Sequence, residues 1–393
     1  MIKTEIEKEF IEVFHTSPSA VYRAPGRVNL IGEHVDYNGG EVLPFAISLE
    51  IIGAISIRND HRIVCFSKQI SEQIEDTPKN LEEAQSRNHW TIYIHGVITC
   101  LKRHGYKVPE GMNLWFSSDL PVGAGLSSSA ALEVLTIQLI FDVTKANLTK
   151  KEIALLAHES ENVDIGVHCG IMDQFAVALC KKNHGLQLNT ETQAYKHVEI
   201  NLNNEAEFVL IDTRKRRALH TSEYNQRFKE SRECLHLINQ LLQTDFRSLA
   251  DLSIDILSQV EGKLPKNLFQ RARHVVSEVQ RTAIFIQAIS KCDFKQAGDQ
   301  LTYSHLSLKL DYEVSCNELD DLVDYCLREH AYGARLTGAG FGGCVISLFP
   351  KYDLSGALER IQNEYRAKYG KRPYIYRVKP VDGSSKWGVQ GNG

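Results

Sequence analysis

A mixed α/β protein (α+β in the way its elements segregate), built as two domains, is the fold class the sequence predicts. Three observations carry this expectation. Strand and helix periodicities intermix along the chain, and neither prevails throughout. A mainly helical stretch, 223–330, is framed on both sides by segments with strand patterns. The 393 residues, 43% of them hydrophobic, are also long enough for two domains and a large core. A boundary near residue 200 is expected, giving an N-terminal domain over 1–200 and a C-terminal domain over 201–393.

The elements follow in order. Residues 42–57 form a β-branched apolar run that predicts a strand. A turn at Asn59-Asp60 and a second strand over 63–66 come next. In 91–104, Ile94, Val97, Ile98 and Leu101 recur at helical spacing, and Gly105 fits the C-cap. A strand is predicted over 112–116, an apolar helix over 130–143 and a short buried strand over 208–211. Apolar faces of period 3.6 predict helices over 223–242, 268–290 and 313–330. The chain then returns to strand (344–349), helix (354–369) and strand (374–378).

Composition narrows the function. A formal net charge of −4 offers no field for nucleic acid or an anionic membrane surface. No apolar run approaches the roughly 20 residues a membrane-spanning helix needs. The first ten residues are acidic and amphipathic, unlike a secretory leader. Nine cysteines, an odd number without a C-x-x-C pair, predict reduced thiols and a cytoplasmic protein.

Residues 26–40, GRVNLIGEHVDYNGG, are the most informative stretch. Arg27, Glu33, His34 and Asp36 bring a cation, two carboxylates and an imidazole together among four glycines. Converging polar groups on a loop suit a polyhydroxylated small molecule, since each hydroxyl needs a donor or acceptor. A plain polar surface loop is the alternative. Residues 121–131, PVGAGLSSSAA, fall between a predicted strand and a predicted helix. The free N–H groups and positive dipole end of that helix make an anion site suited to phosphate. Gly123 and Gly125 let backbone wrap the anion, while Ser127, Ser128 and Ser129 add hydroxyls for phosphate or metal. It is no Walker A loop, because the Gly-Lys-Ser/Thr ending is missing. A serine-capped core helix is the alternative.

Other motifs are weaker alone. Residues 338–343, GAGFGG, match G-x-G-x-x-G, but a strand pattern follows where a dinucleotide site needs a helix. Tight packing and ligand approach stay equally open there. Glu161 and Asp173 flank a turn with Gly166 and Gly170, where one could bind Mg²⁺ and the other accept a proton. Caps or solvated surface are the plainer readings. His168 beside Cys169 lacks the partners of a zinc site, and the basic run 214–217 reads as a solvated loop.

Together these motifs resemble the galactokinase family of the GHMP kinase superfamily. The 26–40 stretch is similar to the galactokinase signature, 121–131 to the superfamily's ATP loop and 338–343 to its third motif. Residues 169–174 (CGIMDQ) and 222–225 (SEYN) are galactokinase-like as well. The resemblance implies a two-domain GHMP kinase fold, with mixed sheets, helices packed on them and an active site in the cleft between the domains. It implies transfer of the ATP γ-phosphoryl group to the C1 hydroxyl of α-D-galactose, the first committed step of galactose metabolism.

The residue roles implied are specific. Asp173 would be the catalytic base, with Arg27 the positive group beside it. Glu33, His34, Val35, Asp36, the Gly170 backbone and Tyr224 would hold the sugar. Gly123, Ala124, Gly125, Leu126, Ser127, Ser128 and Ser129 would hold ATP, with Ser67 near the adenosine. Ser129 and Glu161 would hold Mg²⁺. Val35 stands where the family usually has Thr, and Glu41 where an aromatic is usual, so fine sugar specificity is the open point. The tail 384–390 also departs from the family's small-residue ending. The alternatives are a kinase for N-acetylgalactosamine or arabinose, and a non-catalytic galactose- and ATP-binding sensor. The expected partners are galactose and Mg-ATP, with no nucleic acid, no membrane and a monomeric state.

Overall fold

Three sheets share the chain, and the segments that pass between them build the site. The computed structural model describes residues 3–76, 89–121, 123–167, 169–215 and 221–388. Arg216, Arg217, His168 and the end of the tail from residue 389 lie outside the described residues.

Helix α1 (Lys3–Phe14) buries Ile6 and Phe10 against Val21, Ile52, Ala54 and Trp115, on one face of the first sheet. The strands are β1 (Ala20–Asn29), β2 (Glu41–Val42), β3 (Pro44–Ile57), β4 (Ile63–Ser67) and β5 (Glu72–Asp76). Helix α2 (Ile92–Arg103) leads to β6 (Met112–Ser118). Helix α3 (Ser128–Thr144) follows, apolar on every side and packed on β1 and β3. Next come α4 (Lys150–Glu159), a π-helical turn (Ser160–Ile165) and α5 (Met172–Leu179). The hairpin β7 (His184–Asn189) and β8 (Tyr195–Glu199) extends β2 into a three-stranded sheet.

In the second half β9 (Ala206–Asp212) precedes α6 (Thr221–Leu242), α7 (Ile254–Gln259), α8 (Lys266–Ser290), α9 (Phe294–Leu310) and α10 (Asn317–Arg328). Then come β10 (Gly333–Thr337), β11 (Cys344–Pro350), α11 (Leu354–Tyr369), β12 (Tyr374–Val378) and β13 (Ser385–Lys386). The sheet order β10-β11-β9-β12 keeps these strands together, all antiparallel. The first sheet runs β13-β1-β3-β6-β4-β5, with β4 parallel to β6. The mixed α/β class is therefore as expected.

Three readings need correction. The 26–40 stretch is only partly a loop, because Arg27 lies in β1 opposite Ala46, just past a register shift after Pro25. The helix expected over 313–330 starts only at Asn317: Val314 spends its carbonyl on the Phe341 N–H, 2.7 Å away, supporting the glycine loop. The last segment does not stay with residues 201–393. Val381, Gly383 and Ser384 donate backbone N–H groups to Ala46, Cys180 and Val177, and β13 pairs with β1.

Candidate active site

Arg27 and Asp173 meet although 146 residues separate them. The guanidinium donates from Nε to Oδ1 and from Nη2 to Oδ2 of Asp173, both at 2.8 Å. Such a two-point fork fixes geometry as well as charge. The third arm, Nη1, donates to the Gly125 carbonyl at 2.8 Å, so the same side chain braces the glycine-serine loop. Burial works against this cation, but the charges of Asp173 and Glu33 outweigh it and hold its pKa above the ordinary arginine value. Asp173 sits in the first turn of α5, where the helix dipole favours a carboxylate. Ser127, in the left-handed conformation at the start of α3, donates its hydroxyl to Asp173 Oδ2 at 2.5 Å.

The loop after β1 carries the other polar groups. Glu33, His34 and Asp36 line a cleft of about 470 Å³ together with Arg27, Gly170, Asp173 and Tyr224. Gly123, Gly125 to Ser129 and Ala339 line it as well, with the Ala339 carbonyl 3.3 Å from His34 Nε2. His34 Nδ1 lies 2.9 Å from the Tyr37 hydroxyl, which lies 2.9 Å from that of Tyr312. Burial, and then the charges of Asp173 and Glu33, push the Asp36 carboxyl up to about 7.

In the glycine-serine loop, Gly123 and Gly125 take φ of +72° and +80°, which glycine adopts without strain. Ser128 and Ser129 begin α3, so their N–H groups face the cleft without helical partners. Glu161, from the π-helical turn, is hydrogen-bonded by Ser129 and accepts from Gln174 Nε2 at 2.6 Å. Burial first, then the Asp173 charge, raise its carboxyl to about 7. Hydroxyl and carboxylate oxygens are the hard donors Mg²⁺ prefers. The Ser129 hydroxyl, which lines the cleft, and the buried Glu161 carboxylate beside it are such a donor set and fit a divalent cation.

Not every expected residue reaches the cleft. Val35 is fully buried and packs against Gly40. Ala124 is buried, its carbonyl accepting from the Cys344 thiol. Ser67 lies on β4 opposite Phe116, and Glu41 on β2 accepts from Gln187, both away from the cleft lining.

The residues that hold the loop after β1 went unread. Glu278 Oε1 accepts from the N–H groups of Gly32 (3.0 Å) and Glu33 (3.2 Å) and from the Ser304 hydroxyl. Burial alone would raise its pKa, but Arg281, His274 and Arg335 hold it down at about 2. His274 Nε2 lies 3.0 Å from the Glu33 carbonyl, and burial lowers its pKa to about 4. Arg335, fully buried, stands 2.9 Å from the Glu33 carboxylate. The signal was present: Arg271, His274 and Glu278 recur on the buried face of a predicted helix, where charge is rare without a task.

A cleft with carboxylates at one end and a helix N-terminus at the other suits phosphoryl transfer to a small polar acceptor, and its scaffold is that of the GHMP kinases. Residues 92–181 match the family model for the GHMP kinases N terminal domain, and 285–369 that for the GHMP kinases C terminal. A crystal structure of mevalonate kinase shares the fold at a TM-score of 0.64 and 19% identity, covering 93% of this chain and all of its own. Within that superfamily, the chain belongs to the galactokinase family. Residues 8–57 match the galactokinase galactose-binding signature. The galactokinase of Clostridium acetobutylicum is 36% identical over 97% of this chain and 98% of its own length. That of Enterococcus faecalis is 39% identical over 96% and 97%. A crystal structure of Lactococcus lactis galactokinase complexed with galactose superposes at a TM-score of 0.92, with 34% identity, 98% of this chain and all of its own covered. The resemblance seen in the motifs is thus borne out, and the chain is an ATP-dependent sugar kinase.

Proposed function

We propose that this chain transfers the ATP γ-phosphoryl group to the C1 hydroxyl of α-D-galactose, giving galactose 1-phosphate and ADP. The observation that supports this reading most strongly is the Arg27–Asp173 fork, set between the loop of Glu33–Asp36 and the loop of Gly123–Ser129. The anomeric hydroxyl is a poor nucleophile near neutral pH, so a positioned carboxylate raises its reactivity. Asp173 accepts the C1 proton as the C1 oxygen bonds the γ-phosphorus and the bond to the β-phosphate breaks. Arg27 lies beside both the developing alkoxide and the equatorial phosphoryl oxygens, where a fixed cation lowers the barrier.

Glu33, His34 and Asp36 hold sugar hydroxyls, with Tyr224 and the Gly170 backbone closing the pocket. The N–H groups at the start of α3 hold the phosphates. Ser129 and Glu161 would hold Mg²⁺, which would supply positive charge to neutralise the ATP phosphates. This reading takes the enzyme as a monomer in the cytoplasm; all nine cysteines are free, as in a reducing compartment. The intact Arg27, Asp173 and serine loop speak against a non-catalytic sensor.

A sugar panel scored by kcat/KM tests the substrate, since specificity is a ratio of those values. Galactose should exceed glucose, N-acetylgalactosamine and arabinose by far. Comparable values, or a preference for another of these sugars, would overturn the assignment.

A further inference from the structure

A cavity larger than the catalytic cleft lies outside it, and its chemistry is that of an anion site. It measures about 920 Å³ against about 470 Å³ for the cleft, and falls within the range of small-molecule sites. Five separate segments wall it: β1, the start of α4, the turn after α5, β8 and the returning C-terminal segment. Arg23, Lys150, Lys151, Lys181, Lys182 and Lys386 line it, against one carboxylate, Asp382. That is a local excess of cations on a chain whose acids outnumber its Lys and Arg, 49 to 45.

Internal pairing accounts for only some of these cations: Lys151 Nζ donates to the Gln193 carbonyl at 3.2 Å. Asp382 Oδ1 already accepts the Lys182 backbone N–H at 2.9 Å. Lys386 pairs with Asp142, and Arg23 reaches Glu50 only at 3.9 Å. Among the described residues, the ammonium groups of Lys150, Lys181 and Lys182 lie in no ion pair within 4.0 Å, and the Asp382 charge only partly offsets the burial of Lys150 from within this cavity. Lys150 and Lys151 moreover occupy the first two positions of α4, capped by Thr149, where the helix dipole disfavours cations. The capping box there serves the Glu152 N–H. The N–H groups of Lys150 and Lys151 are left over from the helix ladder. Like charges at a positive helix end raise the energy of the empty cavity, and a bound anion would lower it. Trp387 and the exposed Tyr195 add ring faces to the rim, with the Arg23 guanidinium 6.0 Å from the Trp387 ring.

We propose that this cavity binds a phosphate-bearing small molecule, with the phosphate held by Lys150, Lys181 and Lys182 and its organic part against Trp387. A sugar phosphate and a nucleotide share this chemistry. The site is distinct from the catalytic one. No residue lines both cavities, and the helix from Asp173 to Leu179, about 9 Å of rise, separates Asp173 from the turn that carries Lys181 and Lys182.

Titration calorimetry with pyrophosphate on the full chain tests this. Three proteins are compared: wild type, Lys150→Gln/Lys181→Gln/Lys182→Gln, and a control, Lys3→Gln/Lys8→Gln/Lys295→Gln, with the same charge loss elsewhere. Pyrophosphate binding should weaken at least tenfold in the cavity variant and stay unchanged in the control, with kcat on galactose unaltered as evidence of folding. Equal weakening in both variants, or none in the cavity variant, overturns the proposal. Galactose 1-phosphate and ADP are then run in the same three proteins. The one whose binding depends on the cavity lysines identifies the source, and dependence in neither overturns the organic-ligand assignment.

Discussion

The main chain at Gly170 lies flush against the carboxylate of Asp36, with no room for a side chain between them. A Cβ at residue 170 would overlap Oδ2 and Cγ of Asp36 and stand 2.9 Å from its Cβ. Glycine is therefore required here for close approach, and its φ is not in the left-handed region. The contact joins the segment before α5 to the loop after β1, so it sets where Asp36 stands relative to Asp173. Gly170→Ala should displace Asp36 at a cost of about 1–3 kcal/mol, as overpacking does. Galactose KM should rise by up to about 5- to 160-fold, while the ATP KM stays near wild type. An unchanged galactose KM would show that Asp36 does not touch the sugar.

Asp173→Asn keeps the shape of the side chain but removes the proton acceptor. Turnover should fall about 10²- to 10⁴-fold, the usual contribution of a positioned acid or base. Nucleotide binding, measured with a non-hydrolysable ATP analogue, should stay within a few-fold of wild type. A residual rate near wild type would assign the proton to another group and leave Asp173 as a partner that merely orients Arg27.

How much of this was legible depended on distance along the chain. The serine loop and α3 are contiguous, so a strand, two glycines, three serines and an apolar helix could be read in one window. Residues 33–36 were readable for the same reason. What fixes them was not: Glu278 bonds the Gly32 N–H across 246 positions, and Arg335 reaches the Leu30 carbonyl across 305. No local period records such contacts. Gly26, one of the four glycines of the 26–40 stretch, lies inside β1, where a Cβ would overlap Leu120 and stand 2.9 Å from the Leu126 carbonyl. Packing, not bending, requires that glycine.

Asp36 should leave a mark on the pH dependence of stability. Its folded pKa, raised from 3.8 to about 7, lies above its unfolded value, so between these limits the folded state holds a proton that the unfolded state has lost. Stability from this group is therefore fully present below about pH 4 and declines as pH rises through 7. Melting temperature measured from pH 5 to 8 should fall less steeply in Asp36→Asn than in wild type. Parallel profiles for the two proteins would mean the carboxyl titrates normally and is better hydrated than its surroundings suggest.

Glu278→Gln tests the support beneath the sugar-side loop. The wild-type carboxylate is fully buried and takes the Gly32 and Glu33 N–H groups, the Ser304 hydroxyl and Arg281 Nε, the last at 2.7 Å. The amide offers only one acceptor oxygen and presents an NH₂ to donors. At least one buried donor then loses its acceptor, and the Arg281 charge loses its compensation. Removing one member of a buried charge pair costs about 3–5 kcal/mol, so the denaturation midpoint should drop clearly at constant m-value. Because Glu33 hangs from this carboxylate, galactose KM should rise with it, whereas a surface charge loss such as Glu7→Gln should leave both unchanged. A variant with normal stability and normal galactose KM would show that His274 and Arg335 hold the loop without Glu278.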